Sequence, residues 1–240
     1  MEIVILNDAA ELGDRAAARA ASEINAAISA KGECRLLLST GASQFETLGA
    51  LKGSAVDWSK VAMFHLDEYI GLPITHKASF RKYLKERFVK DVPLKGVFYV
   101  NGDNPEETMA LLEREFEKAP ADVALIGVGE NGHIAFNDPP ADFETKLAYH
   151  VVTLDDACKR QQAGEGWFAS PVEVPDKAIS MTVHMILQSK VIISAVPHGV
   201  KARAVKEMMD RGLDPMLPAT ALKGHANYTL YLDKNSACLL

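Results

Sequence analysis

The sequence has few cysteines and no long apolar run. Its three cysteines, Cys34, Cys158 and Cys238, lie far apart and form no CxxC pair, which argues against a zinc site and a disulfide framework. No apolar run reaches the roughly 18 residues that a membrane span needs. The N-terminus also lacks the basic segment and apolar core of a signal peptide. We therefore expect a cytoplasmic protein with reduced thiols, without a membrane partner or a metal site.

An excess of positive charge is also absent. The formal net charge of the 240 residues is −6, so the chain has no global basic surface for nucleic acid. Hydrophobic residues make up 48% and charged residues 24%, which is ordinary for a globular protein that buries a sizeable core. Since no repeat, low-complexity tract or linker interrupts the chain, we predict a single domain spanning residues 1–240.

Strand-like apolar runs alternate with helix-compatible segments almost throughout. The predicted strands are residues 2–6, 35–38, 61–66, 97–100, 123–126, 149–152, 177–183, 191–196 and 227–232. The predicted helices are residues 9–30, 44–51, 79–88, 105–119, 155–162, 184–188 and 200–211. This alternation predicts an α/β fold, a doubly wound and mainly parallel sheet with helices on both faces. It is Rossmann-like, but the sequence has no dinucleotide fingerprint and no Walker loop.

The most informative stretch is LIGVGENGHIAFNDPP, residues 125–140. An apolar run stops abruptly, and three glycines in six positions allow positive φ and close approach to a ligand. His133 follows, with Asn131 two residues before it and Asp138 five residues after it. Either neighbour could orient the ring and so fix which nitrogen carries the proton. A glycine-rich turn with a surface histidine is the plainer alternative, and the crowding of polar groups favours a functional site.

Three other strand ends carry polar groups. The turn of Thr40, Gly41, Ala42 and Ser43 lies between a strand and a helix, where backbone N–H groups make either an anion site or a plain N-cap. Asp67 and Glu68 follow the third strand and point in different directions if strand geometry persists, the alternative being a helix cap and a solvated acid. Lys201 lies in the first turn of a helix, against the helix dipole, as is found at functional sites.

These groups should meet, because the carboxyl ends of the strands in a doubly wound sheet converge on one edge. A phosphate-like group held by Lys201 and the turn 40–43 would leave the rest of a small ligand facing Asp67 and His133. A carboxylate with an imidazole suits proton transfer without a cofactor.

Two motifs, FHLDEYIGL (residues 64–72) and GVGENGHIAFNDP (residues 127–139), resemble the glucosamine-6-phosphate deaminase (isomerase) family. LSTGAS (residues 38–43) and the helix start at Lys201 fall in the expected order, and the resemblance spans about residues 36–232. It implies an enzyme of amino sugar metabolism in N-acetylglucosamine catabolism, a hydrolase that converts glucosamine 6-phosphate and water into fructose 6-phosphate and ammonia. The only expected partner is the sugar phosphate, and a homo-oligomer is left open.

The resemblance also implies roles for single residues. His133 would open the pyranose ring by moving a proton at the ring oxygen, and Asp67 would shuttle a proton between C2 and C1. Two acids flank the histidine in the family; here Asp138 fills the later position, and Asn131 stands where aspartate is common in some members. An amide orients the ring without stabilising imidazolium by charge, so Asp138 or Glu68 would supply that effect.

The phosphate-binding role carries over to Thr40, Gly41, Ala42, Ser43 and Lys201, although the usual loop is closer to TGGTP. Glu68 and Gly132 complete the expected substrate contacts.

The family's substrate-gripping arginine has only Arg160 as a counterpart, with Gln161 and Gln162 as alternatives. The loop of residues 164–168 is either a lid or a packed turn. We find no match to the family's basic allosteric cluster and expect no activation by an N-acetylated sugar phosphate.

Two alternatives remain. A 6-phosphogluconolactonase, a hydrolase of the same fold, usually has a DER-like acid motif and a GxGxDGHTAS-like loop, whereas here Tyr69 follows Glu68 and IAFN follows His133. A non-catalytic sugar-phosphate-binding regulator would need a DNA-binding helix-turn-helix, and the chain begins directly at its first strand. Both comparisons favour the deaminase.

Overall fold

The computed structural model describes residues 1–240, in which ten strands and seven α-helices follow one another along the chain. The strands are β1 Glu2–Leu6, β2 Cys34–Leu38, β3 Val61–His65, β4 Asp67–Tyr69, β5 Gly96–Phe98, β6 Val123–Leu125, β7 Tyr149–Thr153, β8 Lys177–Met181, β9 Val191–Val196 and β10 Tyr228–Asp233. The helices are α1 Ala9–Lys31, α2 Phe45–Lys52, α3 Phe80–Arg87, α4 Pro105–Lys118, α5 Asp156–Gly164, α6 Val183–Leu187 and α7 Ala202–Asp210. None of these helices combines the length and apolarity that a membrane crossing requires.

Seven of the strands form one fully parallel sheet in the order β1-β10-β9-β6-β2-β3-β5. Alternate side chains of each strand enter two different apolar cores: Leu37 and Phe64 belong to one core, and Leu36 and Met63 belong to the other. Helices α1 and α2 cover the second core, and α4 and α7 contribute to the first. The predicted α/β class, a mainly parallel sheet with helices on both faces, is confirmed.

Helix α1 begins and ends where its sequence directs. The Asp8 carboxylate accepts a hydrogen bond from the backbone N–H of Glu11, and Gly32 ends the helix at φ 84°, a conformation that glycine adopts without strain. Its buried face consists mostly of alanines, which let it lie close to the sheet and to α2. Gly13 makes the closest approach, because a Cβ there would lie 2.4 Å from the Cβ of Glu46.

Three strands form a separate antiparallel sheet in the order β4-β8-β7. The sequence predicts that residues 61–66 run on directly into Asp67, but the strand ends at His65 and the chain changes sheets at Leu66. The N–H of Leu66 donates to the carbonyl of Leu38 in the large sheet, and its carbonyl accepts from the N–H of Met181, the last residue of β8. Asp67 therefore lies in a different sheet from β3.

The order of the strands reverses between β2 and β6. From β2 the chain proceeds to β3 and β5 on one side, and it returns to β6 on the other side of β2. Ligand crevices of open α/β sheets lie outside the carboxyl ends of the strands at such a point. The loops after β2 and β6 are tied together there, because the N–H of Gly127 donates to Ser39 Oγ at 3.2 Å.

Asp122 directly precedes β6, at the amino-terminal edge of the large sheet. Its carboxylate is almost sealed from solvent and lies 2.8 Å from Lys31 Nζ and 2.9 Å from Lys190 Nζ. It also accepts from the backbone N–H of Arg35 at 2.8 Å. Burial alone would raise the pKa of Asp122, but these partners outweigh it and hold the pKa below its ordinary value.

We predict that Asp122→Asn lowers the free energy of unfolding by about 2 kcal/mol at pH 7, because it breaks buried charge-assisted bonds. A carboxylate whose pKa is depressed by folding stabilises the protein above its unfolded pKa, and this contribution is lost as the pH falls. The difference between wild type and variant should therefore shrink below about pH 4, measured by urea denaturation. Asp176→Asn, at an exposed ion pair, is the control with little effect. A difference that is independent of pH would contradict this account.

Candidate active site

A cavity of about 170 Å³ lies at the carboxyl edge of the large sheet, where the strand order reverses. The predicted strand ends all contribute to it. Its lining includes Thr40, Gly41, Ala42 and Ser43 after β2, Asp67 of β4, residues 127–130 and His133 after β6, and His198 and Lys201 after β9. The structure thus brings together the turn, the acid, the histidine and the lysine that the sequence singled out.

Asp67 is the buried acid of this cavity. Only 5% of the residue is exposed, and its Oδ1 has no hydrogen-bond partner within the protein. Burial raises the pKa of Asp67 well above its ordinary value, and the neighbouring Glu68 carboxylate adds to the shift. Oδ1 is itself sealed from solvent, whereas Oδ2 also has no hydrogen-bond partner and is not sealed, so Oδ2 is the oxygen available to a substrate proton.

Glu68 does not line the cavity, and the prediction that it contacts substrate is corrected here. It is fully buried and accepts from the backbone N–H groups of Tyr69, Phe80 and Arg81 and from Ser79 Oγ, at 2.8 to 3.1 Å. Arg81 Nε adds an ion pair at 3.3 Å. Glu68 is therefore a structural acid that fixes the N-terminus of α3 to β4, and it does not support His133.

The side-chain amide of Asn131, which lies outside the cavity, orients His133. Asn131 Oδ1 lies 2.7 Å from His133 Nδ1 and also accepts from the backbone N–H of His133 at 3.1 Å. The Asn131 amide nitrogen is 3.5 Å from Asp138 Oδ1, which fixes the orientation of the amide. Since the amide oxygen only accepts, Nδ1 carries the hydrogen and Nε2 remains a proton acceptor.

Asp138 lies behind the same nitrogen, with Oδ1 3.3 Å from His133 Nδ1. Burial alone would raise the pKa of Asp138, but its interactions with His133, Cys158 and Asn131 outweigh this and lower the pKa. Asp138 is therefore ionised next to the ring, and of the two acids considered for stabilising an imidazolium it is the one in contact. Asn131 and Asp138 do not line the cavity, so they orient His133 from outside it.

Two glycines shape the histidine loop in different ways. A Cβ on Gly129 would lie 2.3 Å from His133 Cε1, so the ring rests directly on this backbone. Gly132 has φ 81°, and a Cβ there would lie 2.3 Å from Leu217 Cδ1. Gly132 is absent from the cavity lining, so the predicted substrate contact is replaced by a packing role. Buried Asn137 closes the loop by donating to the carbonyls of Ile134 and Met181.

The turn after β2 presents free donors. The backbone N–H groups of Gly41, Ala42 and Ser43 donate to no protein acceptor. Gly41 has φ 102°, which favours glycine, and Tyr83 Oη donates to its carbonyl at 2.9 Å. Unpartnered N–H groups at the start of a helical segment attract anions.

Lys201 completes this polar wall. It ends a short 3₁₀ turn before α7 and is only 7% exposed, and its Nζ has no hydrogen bond or ion pair within the protein. Burial lowers the pKa of Lys201, while the carboxylates of Glu165 and Glu130 act in the opposite direction. No cluster of three histidine, cysteine, aspartate or glutamate side chains is placed to hold a metal ion.

Comparison with known proteins assigns this arrangement to a family. The family model described as Glucosamine-6-phosphate isomerases/6-phosphogluconolactonase matches residues 7–231. The chain belongs to this family. A glucosamine-6-phosphate deaminase of Alkaliphilus oremlandii (strain OhILAs) is 36% identical over 208 residues, which cover 84% of this chain and 85% of that protein.

Two solved structures extend the comparison. A structure described as a monomeric glucosamine-6-phosphate deaminase matches with a TM-score of 0.91 and 29% identity, covering 100% of both chains. A 6-phosphogluconolactonase from Trypanosoma brucei matches with a TM-score of 0.81 and 17% identity, covering 100% of this chain and 98% of that one. The second likeness shows the shared fold alone.

The substrate-binding arginine that the family resemblance implies has no counterpart among the residues that line the cavity. Arg160 is exposed and lines a neighbouring groove with Arg203 and Arg211, so the predicted substrate contact is corrected. Residues 161 and 162 line the cavity instead, because one residue step turns a helix by about 100°.

Glu165 and Trp167 also line the cavity, so the loop of residues 164–168 forms part of its wall. Trp167 Nε1 donates to Glu165 Oε2 at 3.1 Å, and Phe168 is buried in a separate aromatic cluster. The sequence leaves this loop open between a lid and a packed turn, and it carries no signal that places His198 in the cavity lining.

We predict that Gly129→Ala displaces His133, because the added methyl group occupies the position of the ring. The ¹⁵N and ¹H shifts of the imidazole should change and the Nδ1–H signal bonded to Asn131 should be lost, measured by NMR. Gly49→Ala in α2 is the matched control, since a Cβ there meets nothing within 4 Å. An unchanged imidazole spectrum in Gly129→Ala would contradict the proposed seat of the ring.

Proposed function

We propose that the protein isomerises and deaminates an amino sugar phosphate, converting glucosamine 6-phosphate and water into fructose 6-phosphate and ammonia. The observation that carries this proposal is the presence of Asp67 and His133 in one cavity with an anion-suited turn and a buried lysine. The curated relatives named glucosamine-6-phosphate deaminase support it, as does the 29% identical structure of that name.

His133 acts first. Its Nδ1–H bond to Asn131 leaves Nε2 free to take the proton of the C1 hydroxyl and to deliver it to the ring oxygen. This opens the pyranose ring and produces the aldehyde. Ionised Asp138 beside Nδ1 stabilises the imidazolium that forms between the two transfers.

Asp67 acts on the open chain. Its carboxylate removes the proton from C2, which the C1 aldehyde acidifies, and returns it to C1. One proton also moves from the C2 amine to the C1 oxygen, so that a C1 hydroxyl and a C2 imine result. Water then adds to C2 and the C2–N bond breaks to release ammonia, which makes the step hydrolytic. The raised pKa of Asp67 suits this exchange, because a carboxyl group whose pKa is nearer the working pH both takes and returns a proton readily.

The phosphate is held by neutral donors and one cation. The free N–H groups of Gly41, Ala42 and Ser43 and the unpaired Lys201 Nζ supply charge-assisted hydrogen bonds to a dianion. A bound phosphate also relieves the burial of the Lys201 ammonium, since an anion beside it favours the charged form. Thr40 belongs to the same turn.

We predict that the protein releases ammonia from glucosamine 6-phosphate and not from unphosphorylated glucosamine, because the anion site supplies the binding energy. Galactosamine 6-phosphate and 6-phosphogluconolactone are assayed in parallel. Ammonia is measured by a coupled assay, and lactone hydrolysis by acid release. Hydrolysis of the lactone without ammonia release from either amino sugar phosphate would favour the lactonase alternative and refute the proposal.

We predict that Asp67→Asn lowers kcat about 10²- to 10⁴-fold, because an amide takes no proton from carbon. In the wild type, kcat/KM should rise with pH through the raised pKa of Asp67, so its acid limb lies above pH 4, and the variant should lack that limb. Binding of glucitol 6-phosphate, which has no carbonyl, should stay within a few-fold by calorimetry. Exposed Asp210→Asn is the control, and a matching loss of binding would make Asp67 a structural residue.

Three further statements remain predictions: one domain over residues 1–240, a cytoplasmic location and independence of a cofactor.

A further inference from the structure

Tyr69 is a fixed hydroxyl donor beneath the cavity. It is fully buried in β4, and its ring packs against Phe136 and Phe80 with centroids 5.0 and 5.2 Å apart. Phe168 meets it edge-on at 5.5 Å. Such packing leaves the phenol little freedom, and burial raises the pKa of Tyr69 well above its ordinary value, so its hydroxyl keeps its hydrogen.

The hydroxyl of Tyr69 fixes one side chain of α5. Tyr69 Oη donates to Gln162 Oε1 at 2.8 Å, and only 5% of Gln162 is exposed. With its oxygen engaged, Gln162 has only its amide nitrogen to offer elsewhere. That nitrogen has no acceptor in the protein and is not among the atoms sealed from solvent, and Gln162 lines the cavity. Its N–H groups are therefore available to a molecule in the cavity.

The same wall carries the base of the proposed reaction. Asp67 and Tyr69 are two residues apart in β4, so their side chains share a face of the strand. Gln162 rests on Tyr69 and lines the cavity together with Asp67. A substrate atom that accepts a hydrogen bond from Gln162 is thus close to the carbon on which Asp67 acts.

We infer that Gln162 donates a hydrogen bond from Nε2 to a substrate oxygen beside the reacting carbons, and that Tyr69 is the positioning residue that aims it. The inference rests on the proposed function and identifies the required feature of its substrate, an oxygen acceptor at the reacting end of a phosphorylated amino sugar. It also assigns the role for which sequence reasoning considered Arg160.

A neutral donor has a specific advantage here. A guanidinium group beside Asp67 would stabilise the carboxylate and lower its pKa, which opposes the effect of burial. The Gln162 amide donates a hydrogen bond without adding charge, so the raised pKa of Asp67 is kept. An arginine on the other side of α5, such as Arg160, has no such effect.

Gln162→Glu is the decisive variant. A glutamate of the same shape still accepts the Tyr69 hydroxyl, so the tie between α5 and β4 remains, but it has no amide N–H to give. We expect kcat/KM for glucosamine 6-phosphate to fall about 10- to 100-fold. The acid limb of the pH profile should move to higher pH, because a second carboxylate near Asp67 raises its pKa further.

Tyr69→Phe and the double variant Tyr69→Phe/Gln162→Leu test the positioning role. If Tyr69 acts through Gln162, the double variant should be no slower than Gln162→Leu alone. Tyr99→Phe is the control for losing a phenol, since Tyr99 Oη has no partner and lies outside the cavity, and Gln188→Leu is the control for an exposed glutamine. Losses that multiply in the double variant would overturn the positioning role.

Binding decides the inference independently of turnover. The dissociation constants of glucitol 6-phosphate and inorganic phosphate are measured by calorimetry for wild type, Gln162→Glu and Gln162→Leu. We expect both variants to weaken glucitol 6-phosphate about 5- to 50-fold, and we expect the uncharged Gln162→Leu to leave inorganic phosphate unchanged. Equal weakening of both ligands, or of neither, would overturn the inference. A wild type that binds both ligands but releases no ammonia would refute the proposed function alone.

Discussion

The peptide of Leu66 connects the two sheets, and the position of the candidate base depends on it. Its N–H donates to the carbonyl of Leu38 in the large sheet, and its carbonyl accepts from the N–H of Met181 in the small sheet. The next residue, Asp67, therefore belongs to the small sheet and lines the cavity. Glu68 and Tyr69 follow with fixed directions, one into the N-terminus of α3 and the other under α5.

The charged groups in and around the cavity favour the protonated form of Asp67. Of the side chains that line the cavity, Lys201 is the only permanent cation, whereas Asp67, Glu130 and Glu165 are acids. No arginine lines the cavity, and the anion-suited turn works through backbone N–H groups. The pKa of Asp67 is therefore governed by burial and by the charge of Glu68, both of which raise it. A phosphate dianion bound near Lys201 would add to the same effect.

Most of the candidate site could be predicted from the sequence, because its residues directly follow predicted strands. Thr40–Ser43, Asp67, His133 and Lys201 each follow an apolar run, and parallel strands bring such ends to one edge. The errors lie where a side chain's direction depends on partners far away in the chain. Glu68 is turned inward by Ser79 and Arg81, eleven and thirteen residues later, and no local pattern contains that information.

The dependence on distant partners also explains why Gln162, and not Arg160, lines the cavity. The family resemblance favours an arginine as the substrate contact, with Gln161 and Gln162 as alternatives, and these residues lie on one helix. Their roles are decided by the rotation of α5, which is fixed by the bond from Tyr69 to Gln162 and by the burial of Cys158. The sequence of α5 alone gives its polar and apolar faces only weakly, since nearly all of its residues are polar or small.

The substitution of an amide for a second acid beside His133 is explained by the geometry of the loop. Asn131 Oδ1 accepts two hydrogen bonds from His133, one from its backbone and one from Nδ1, so it sets both the turn and the tautomer. Its amide nitrogen faces Asp138, which an acid at the same position would repel. Asn131 therefore lets Asp138 approach the ring to 3.3 Å as a single ionised carboxylate. In the proposed ring opening this one buried charge stabilises the imidazolium, and a second charge would raise the pKa of the first, as Glu68 does for Asp67.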